Sequence, residues 1–473
     1  MEWETVIGLE VHVQLLTRTK MFCACANRFG DEPNTLVCPI CLGLPGALPV
    51  PNAQAIRLGT QAALALGCTV HDRSVFARKN YFYPDLPKGY QISQFDQPLA
   101  TSGRVWFESP ERGWISCGVT RLHLEEDAGK SVHDRIPGMT AVDLNRAGTP
   151  LAEIVSEPDL RSSGEARAYL TALKQILIYT MVSDCNMEQG SLRVDANISI
   201  RRPSETRLGT KAEVKNMNSF ANVERALDVE RARQIALMES GGRVEQVTML
   251  FNAETGEVRP MRSKEESHDY RYFPDPDLPP LVLTPHWIAE QQSGLPELPD
   301  AKRSRFAAEY GLSAYDAREL AAERGPADYF EQVVAAGTDA KSAASWLMGE
   351  VRSAYNDTGE LALEPARLAS IVALVRDGIV SRQAARRVFT ESLTSSDAPR
   401  AIADRLGLVQ VGDTDALSGW VDEVLAANPG EVGRYKAGEI KLLGFFVGQV
   451  MKKSQGKADP KKVQPVIMER LGG

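Results

Sequence analysis

Carboxylate, imidazole and cationic side chains alternate with apolar ones in four segments of the first half of the chain. In Thr5–Leu15, Glu10 and His12 stand at even positions, whereas every odd position from 7 to 15 is apolar. Side chains of a strand alternate between its two faces, so this pattern predicts a strand with one face on a core and the other exposed. Glu10 and His12 would then lie about 7 Å apart on one face, and both could bind a single cation.

The same alternation recurs three times. The polar faces it predicts are Arg121, His123, Glu125 and Asp127 in 119–127, Arg193, Asp195, Asn197 and Arg201 in 191–201, and Lys211, Glu213 and Lys215 in 211–215. Mg²⁺ prefers carboxylate oxygens, and Arg and Lys neutralise phosphates, so such a sheet face suits a divalent cation and a triphosphate. A solvated sheet face with compensating charges is the alternative interpretation.

Two loops combine aromatic with basic residues, and the second follows a basic run at Arg262–Lys264. Residues 78–91 read RKNYFYPDLPKGYQ, and residues 270–280 read YRYFPDPDLPP. Aromatic rings beside cations suit stacked bases and phosphates. Turn residues with packing aromatics would produce the same composition, and the sequence alone leaves both interpretations open.

Four of the seven cysteines form two close pairs, Cys23-x-Cys25 and Cys38-x-x-Cys41. Four thiols in this arrangement predict a closed, structural zinc site, although the single residue within the first pair departs from an ordinary zinc ribbon. Free thiols are the alternative. The other three cysteines are isolated and predicted to lie in the core.

The 473 residues suffice for two to four domains, and 43% hydrophobic with 25% charged residues is an ordinary globular composition. Net charge is −8, yet residues 434–473 hold nine Lys or Arg and three acids. This basic end predicts local binding of a polyanion. The acidic N-terminus and the lack of a long apolar run predict a cytoplasmic protein without signal peptide or membrane span.

Strand-like alternation extends to about residue 290 and helical patterns follow from Pro296, which predicts an α+β protein. Five prolines in Phe273–Pro285 favour an extended segment. Ser313-x-x-Asp316 resembles a capping box, and helical stretches are predicted from Tyr329 and at 340–356, 365–377 and 381–391. A break is predicted at 395–417, followed by three short helices, the last with Pro460 at its first position.

Several longer motifs resemble one family. The motifs, in chain order, are VIGLEVHVQL, KNYFYPDLPKGYQISQ, LHLEEDAGK, VDLNRAGTPLAEIVSEPD, GSLRVDANISIR, EVKNMNSF, RSKEESHDYRYFPDPDLPPL and VGQVMKKSQGKADPKK. Together they closely resemble the B subunit of the bacterial and organellar aspartyl/glutamyl-tRNA amidotransferases, from Trp3 to Leu471. The archaeal relative of this family has an extra domain between the helical region and the tail. The segment between Glu391 and Gly419 is too short to contain such a domain, so the bacterial type is the better match.

The resemblance implies three parts: a cradle domain related to glutamine synthetase at 1–293, with the zinc insertion at 23–41, a helical domain at 294–407, and a basic tRNA-binding tail at 408–473. It implies that ATP phosphorylates the side-chain carboxylate of Asp or Glu mis-attached to tRNA(Asn) or tRNA(Gln), and that ammonia then displaces phosphate. The A subunit, an amidase, would supply the ammonia, and the small C subunit would hold the other two together. The cognate aminoacyl-tRNA synthetase is a further possible partner.

The resemblance also implies roles for individual residues. Catalytic roles fall on Glu10, His12, Glu125, Glu126, Glu153 and Asp195, and Mg²⁺ binding on Glu10, His12, Glu125 and Glu153. Weaker candidates for ATP phosphate contacts are Arg78, Lys79, Lys88, Arg193 and Lys215. The zinc ligands are Cys23, Cys25, Cys38 and Cys41, and the tRNA contacts expected in the basic tail are Lys452, Lys453, Lys461 and Lys462. A non-catalytic tRNA-binding scaffold is the alternative, which the intact carboxylate set disfavours.

Overall fold

The computed structural model describes residues 3–261, 269–410, 414–454 and 458–472, without the side chains of 134, 135, 414–416, 460 and 461. Residues 262–268, the start of one motif quoted above, lie outside the described residues. The chain divides into two units, Met1–Pro299 and Asp300–Gly473. The first contains a large sheet and the second is helical, which confirms the predicted α+β class.

The described part of the first unit contains sixteen strands and four α-helices. The strands are β1 Glu4–Gln14, β2 Thr69–Val70, β3 Arg73–Ser74, β4 Ala77–Asn80, β5 Tyr90–Ser93, β6 Ala100–Ser109, β7 Gly113–Glu126, β8 Lys130–Ile136, β9 Met139–Asp143, β10 Pro150–Ser156, β11 Leu192–Arg201, β12 Ala212–Lys215, β13 Thr248–Phe251, β14 Val258–Pro260, β15 Phe273–Pro274 and β16 Leu281–Val282. The helices are α1 Ala53–Ala65, α2 Ser163–Tyr179, α3 Phe220–Glu239 and α4 Pro285–Ser293.

The main sheet has the strand order β14-β13-β12-β11-β1-β10-β7-β6-β2. Neighbouring strands run antiparallel except β12 and β13, which run parallel. The strand β1, where the sequence pattern is clearest, therefore lies in the interior of the sheet between β10 and β11. This position places its side chains beside those of two neighbouring strands.

The apolar face of the sheet forms the core with helices α1, α2 and α3. Its main side chains are 6% exposed or less: Ile7, Leu9, Val11, Val13, Leu122, Leu124, Leu192, Val194, Ala196, Ile198 and Ile200. The predicted apolar alternation is thus confirmed in β1, β7 and β11. Each large aliphatic side chain buried in this way contributes roughly 1.5–3 kcal/mol, so the core fixes which face of every strand is polar.

A small second sheet, β15-β4-β5, packs on the polar side of the main sheet. The Ser93 hydroxyl donates to Glu125 at 3.1 Å, and the Ile92 amide donates to Glu126 at 3.0 Å. His123 and Glu125 are consequently only 3% and 2% exposed. The prediction that this face is exposed is wrong for these residues, because alternation within a strand does not report what packs above it.

The second unit is helical. Its helices are α5 Pro299–Tyr310, α6 Ala314–Leu320, α7 Arg324–Ala335, α8 Ala340–Trp346, a π-helical turn Leu347–Val351, α9 Arg352–Thr358, α10 Pro365–Arg376, α11 Arg382–Ser392, α12 Pro399–Arg405, α13 Thr414–Ala427, α14 Pro429–Lys436, α15 Leu442–Lys453 and α16 Pro460–Leu471. One hydrophobic cluster spans Phe306–Ala403 and a separate one spans Leu417–Leu471. Among the described residues no helix is long and apolar enough to cross a membrane.

Several of the predicted helix positions are confirmed and others are wrong. Ser313 caps α6 by accepting from the Asp316 amide at 3.0 Å, and α16 begins at Pro460. Helix α7 begins five residues earlier than predicted. Helix α12 lies within the predicted break at 395–417, where Pro399 occupies a first-turn position that tolerates proline. The described tail contains four helices rather than three, because α13 begins before the expected end of the break.

Gly103 in β6 marks the tightest packing between the sheet and the turn after α1. A Cβ at this position would lie 2.3 Å from Cys68 Sγ and 2.9 Å from the Leu66 carbonyl oxygen. We expect Gly103→Ala to lower the free energy of unfolding by about 1–3 kcal/mol, as overpacking typically does. Gly8→Ala in β1 is the matched control, because its Cβ would meet nothing closer than 3.7 Å. Denaturant unfolding of both variants checks this, and equal stability of the two would contradict it.

Candidate functional site

The register of four strands aligns polar side chains in one row across the sheet. Arg193 of β11 lies opposite His12 of β1, His12 opposite Glu153 of β10, and Glu153 opposite His123 of β7. Directly opposite residues on antiparallel strands have Cβ atoms about 4.5–5.5 Å apart and share a face. Glu125, two residues along β7, joins this row from the same face. Four strands thus supply one row of polar side chains, and three of them, β1, β10 and β7, supply its cluster of carboxylates and imidazoles.

The cluster contains two carboxylates between two imidazoles. His12 Nε2 lies 3.3 Å from Glu153 Oε2 and 3.6 Å from Glu125 Oε1. His123 Nε2 lies 3.2 Å from Glu153 Oε2 and 3.7 Å from Glu125 Oε2. One ligand atom from each of His12, Glu125 and Glu153 lies within 4.8 Å of the other two. Octahedral ligands about 2.1 Å from Mg²⁺ lie about 3–4 Å apart, so this set fits a divalent cation.

Burial and charge shift the pKa values in this cluster in opposite directions. Burial disfavours the imidazolium of His123, but Glu153 and Glu125 outweigh it and raise the pKa of His123 to about 9. The same balance raises the pKa of His12. Burial alone would raise the pKa values of Glu125 and Glu153, yet the two histidines hold both pKa values below the usual range. The carboxylates are therefore ionised and ready to bind a cation.

His123 belongs to this site, although the sequence pattern places it only on a predicted polar face and gives it no catalytic or metal-binding role. Its alternation with Glu125 is the available signal. Its Nε2 contacts both carboxylates, and its buried Nδ1 has no hydrogen-bond partner within the described ranges. The geometry makes His123 a positioning residue that holds Glu125 and Glu153 together.

Three of the predicted catalytic carboxylates lie outside this cluster. Glu10 accepts from Asn197 Nδ2 at 3.0 Å and lies opposite Asp195. Asp195 accepts from Lys215 at 2.7 Å. Glu126 points away from Glu125 and is bound by Lys88 and the Ile92 amide. The structure thus brings together His12, Glu125 and Glu153 but not these three.

Most of the predicted phosphate-binding cations are paired with carboxylates. Arg78 Nε lies 2.8 Å from Asp275 Oδ2, and Arg78 Nη2 lies 2.9 Å from Asp277 Oδ2. Arg193 donates to Asp127 at 2.8 Å. Together with the Lys88 and Lys215 pairs, these bonds tie loops and strands to one another. These cations would have to exchange a protein carboxylate for a ligand phosphate in order to bind it.

Lys79 differs from the other four cations. Its amine lies 4.8 Å from the centroid of Tyr270 and 5.9 Å from that of Tyr81. It has no ion pair in the part of the chain that the structure describes. Burial disfavours its charge, but Glu125, Tyr272 and Glu153 outweigh this and raise its pKa. Lys79 is thus a half-buried cation that faces the carboxylate cluster and remains available to an anionic ligand.

A cavity of about 680 Å³ opens beside the polar row. Gln14, Arg193 and Asp195 belong to both the polar face and the cavity lining, and Arg146 and Asn216 line another part. This volume lies within the usual range of small-molecule sites. The cavity can therefore hold a nucleotide-sized group at the end of the row that carries Arg193, although His12, Glu125, Glu153 and Lys79 do not line it.

The four clustered cysteines meet in space. Their sulfurs all lie within 4.8 Å of one another, and Cys38 Sγ lies 3.9 Å from Cys41 Sγ. Thiolates at about 2.3 Å around a tetrahedral Zn²⁺ lie about 3.8 Å apart, so the set fits zinc. A hydrogen bond from Cys23 lowers the pKa of Cys41 to about 4. The remaining cysteines, Cys68, Cys117 and Cys185, are buried, which confirms their predicted core positions.

The predicted tRNA-binding lysines lie on the last two helices. Lys452 and Lys453 end α15 and are exposed, and Lys453 pairs with Glu423. Lys462 is exposed on α16. The side chain of Lys461 lies outside the described part of the structure. Lys452 and Lys462 are therefore the two of the four that present a described, unpaired cation to solvent.

The site combines two carboxylates and two imidazoles on a covered sheet face, with a nucleotide-sized cavity at one end of the row. Sites of this kind are found in metal-dependent enzymes.

Comparisons with known proteins specify the family. Residues 5–289 match the GatB/GatE catalytic domain and residues 328–471 match the GatB domain. Two relatives, both named as the B subunit of an aspartyl/glutamyl-tRNA(Asn/Gln) amidotransferase, are 52% identical over 481 residues (Geobacter sulfurreducens) and 54% identical over 476 residues (Alkalilimnicola ehrlichii), with both chains fully covered.

The chain belongs to the family of the aspartyl/glutamyl-tRNA(Asn/Gln) amidotransferase B subunits, and the resemblance read from its motifs is confirmed.

The cation site can be tested on the isolated chain. We expect Mg²⁺ at about 100 times its Kd to add about 2.7 kcal/mol to the free energy of unfolding, because it binds only the folded cluster. Glu153→Gln should remove most of this gain. Glu157→Gln, an exposed glutamate just after the same strand, should retain it. Thermal unfolding with and without Mg²⁺ measures the effect, and an equal gain in both variants would place the cation elsewhere.

Proposed function

We propose that this chain activates the side-chain carboxylate of Asp or Glu mis-attached to tRNA(Asn) or tRNA(Gln) by transferring a phosphoryl group from ATP. Ammonia then displaces phosphate and yields the amide. The observation that carries the proposal is the His12, Glu125 and Glu153 cluster together with nearby Lys79, a cation that has no ion pair among the described residues. ATP and the substrate carboxylate are both negatively charged and repel each other. A site for a hard cation beside an ammonium group neutralises this charge and lets the two react.

Each step balances with the groups available. The substrate carboxylate oxygen attacks the γ-phosphorus of ATP, the bond to the β–γ bridging oxygen breaks, and ADP leaves. Ammonia nitrogen then attacks the acyl carbon, the bond to the phosphate-bearing oxygen breaks, and phosphate leaves with the proton that the nitrogen loses. Bound Mg²⁺ would supply charge neutralisation to the phosphates. The protein residues position that charge: Glu125 and Glu153 as cation ligands, His12 as a ligand directly or through water, and Lys79 as a contact for the transferring group.

Burial makes this site suitable for the chemistry. Tyr81, Tyr270 and Tyr272 lie around Lys79 and leave it only partly exposed to water. Acyl phosphates hydrolyse in water, so a covered site protects the activated intermediate until ammonia arrives. Electrostatic interactions are also stronger there than in bulk solvent.

The remaining assignments follow from the family and the geometry. We assign the glutamine-synthetase-like cradle to 1–293, the helical domain to 294–407 and the tRNA-binding tail to 408–473. The cysteine centre would hold structural zinc, since all four positions are thiols and none is left for a substrate. The relatives are named as B subunits. We therefore infer a heterotrimeric complex in which the A subunit, an amidase, makes the ammonia and the small C subunit joins the other two.

The first test separates activation from ammonia production. In the assembled complex, Glu125→Gln should lower tRNA-dependent ATP cleavage and amide formation by about 100-fold or more, because it removes a charge that orients the cation. Glutamine hydrolysis by the partner should continue at its basal rate. All three reactions are followed in one preparation, with circular dichroism to confirm folding. Glu157→Gln serves as the control and should retain full activity.

An amidation rate near wild type in Glu125→Gln would refute the proposed activating site. Loss of glutamine hydrolysis together with amidation would instead indicate a defect in assembly. Assaying Asp-tRNA(Asn) and Glu-tRNA(Gln) separately identifies which amide the complex produces.

The second test concerns the tail. Reversing the charge of the two exposed, unpaired lysines, Lys452→Glu with Lys462→Glu, should weaken tRNA binding. The slope of log affinity against log salt should fall by about one for each lost phosphate contact. ATP cleavage without tRNA should stay unchanged. The paired substitution Arg57→Glu with Arg231→Glu, at exposed sites of the first unit, is the charge-matched control. Equal weakening by both pairs would show that only net charge matters.

A further inference from the structure

Lys20 is a fully buried lysine next to the cysteine centre. Its exposure is 0%, and its amide donates to the Cys25 carbonyl oxygen at 3.0 Å. Its Nζ lies 2.7 Å from the Leu36 carbonyl oxygen, 3.4 Å from the Leu144 carbonyl oxygen and 3.8 Å from Cys41 Sγ. The side chain thus ends between the cysteine loop and the segment after β9.

The charge of Lys20 has no carboxylate partner among the described residues. Across the described residues no acidic group lies within ion-pair distance of its Nζ, in contrast to buried Lys302 of the second unit, which pairs with Asp328 and Glu331. Burying an ammonium group is strongly unfavourable unless an opposite charge compensates it. Two carbonyl oxygens supply only partial charges. The negative charge that is available comes from the thiolates, of which Cys41 Sγ is in contact.

A tetrathiolate zinc centre needs such a cation. Four thiolates around Zn²⁺ leave a net charge of about −2, and ligands of buried metal sites are stabilised by donors outside the ligand set. Lys20 supplies one positive charge and a donor to one sulfur. Its hydrogen bonds to the Leu36 and Leu144 carbonyl oxygens join the cysteine loop to the segment after β9.

The segment that Lys20 joins also forms a wall of the cavity. Asn145 accepts from the Leu36 amide at 2.8 Å and donates to the Glu32 carbonyl oxygen at 2.8 Å. Asn145 and its neighbour Arg146 line the cavity beside the polar row. A change at the cysteine centre would therefore reach the cavity wall through these bonds.

We propose that Lys20 is the positioning cation of the cysteine centre: it neutralises the zinc-bound thiolates through Cys41 and, through Leu144, ties the centre to the segment whose neighbouring residues Asn145 and Arg146 line the cavity. This inference depends on the proposed zinc assignment. It predicts that the charge of Lys20, beyond its volume, determines how firmly zinc is held.

The test is Lys20→Met in the full-length chain, because methionine has a similar length without the charge. Zinc affinity, measured by competition with a chromophoric chelator, should fall by about 10-fold or more, as for other residues that support metal ligands. In the cobalt-substituted protein the thiolate-to-metal absorption should move to lower energy, because the sulfur loses a donor. Lys302→Met removes a buried lysine from the second unit and should change neither reading.

The outcomes separate the two proposals. Wild-type protein without zinc overturns the zinc assignment and this inference with it. Wild-type zinc affinity and an unchanged cobalt spectrum in Lys20→Met overturn this inference alone. If Lys20→Met does not fold, acylation of wild-type lysines provides the answer: Lys20 should be protected with zinc bound and react after chelation. Equal reactivity in both states would overturn the inference.

Discussion

The strand register around β1 is the constraint on which the site depends. A shift of one residue in any of these strands would move its polar side chains to the core face and its apolar ones to the cover. The core prevents such a shift, because it would expose residues such as Val11, Leu124 and Ile154, each buried completely. Stability and function are therefore linked through one feature: the hydrophobic face selects the register, and the register aligns His12, Glu153 and His123 across three strands.

Burial of the polar row removes its charged groups from water, and attraction between the opposite charges of the row offsets this unfavourable desolvation. A single buried carboxylate would lose its charge, but Glu125 and Glu153 each face two imidazoles, and the four groups keep one another ionised. The cover that desolvates them contributes a hydroxyl from Ser93 as a further donor. The carboxylates are consequently preorganised without a cation. A cation bound by Glu125, Glu153 and His12 would take over the charge neutralisation that the imidazoles provide in its absence.

Much of the fold and part of the site could be predicted from the sequence, because the alternation of side chains within one strand is a local pattern. The apolar faces of β1, β7 and β11, the four-cysteine cluster and the helical second half all follow from short-range patterns. The rest depends on contacts between residues far apart in sequence. Arg78 and Asp275 are separated by 197 positions, and no periodicity indicates that they pair. The cover of β4, β5 and β15, the buried state of Glu125 and the involvement of His123 arise in the same way. Helix α12 escapes the prediction because a proline signals a break as readily as a first helical turn.

The cations around the site divide into two groups by their partners. Arg78, Lys88 and Lys215 each contact carboxylates of neighbouring strands or loops, so they hold the cover and the sheet edge in place. Lys79 lies next to Arg78 in sequence, yet within the described ranges its amine contacts the rings of Tyr81 and Tyr270 and forms no ion pair. Aromatic faces stabilise a cation without neutralising it, and they leave its charge available to an incoming anion. The scaffold cations thereby determine where the loop lies, and the loop in turn determines where Lys79 presents its charge to the carboxylate cluster.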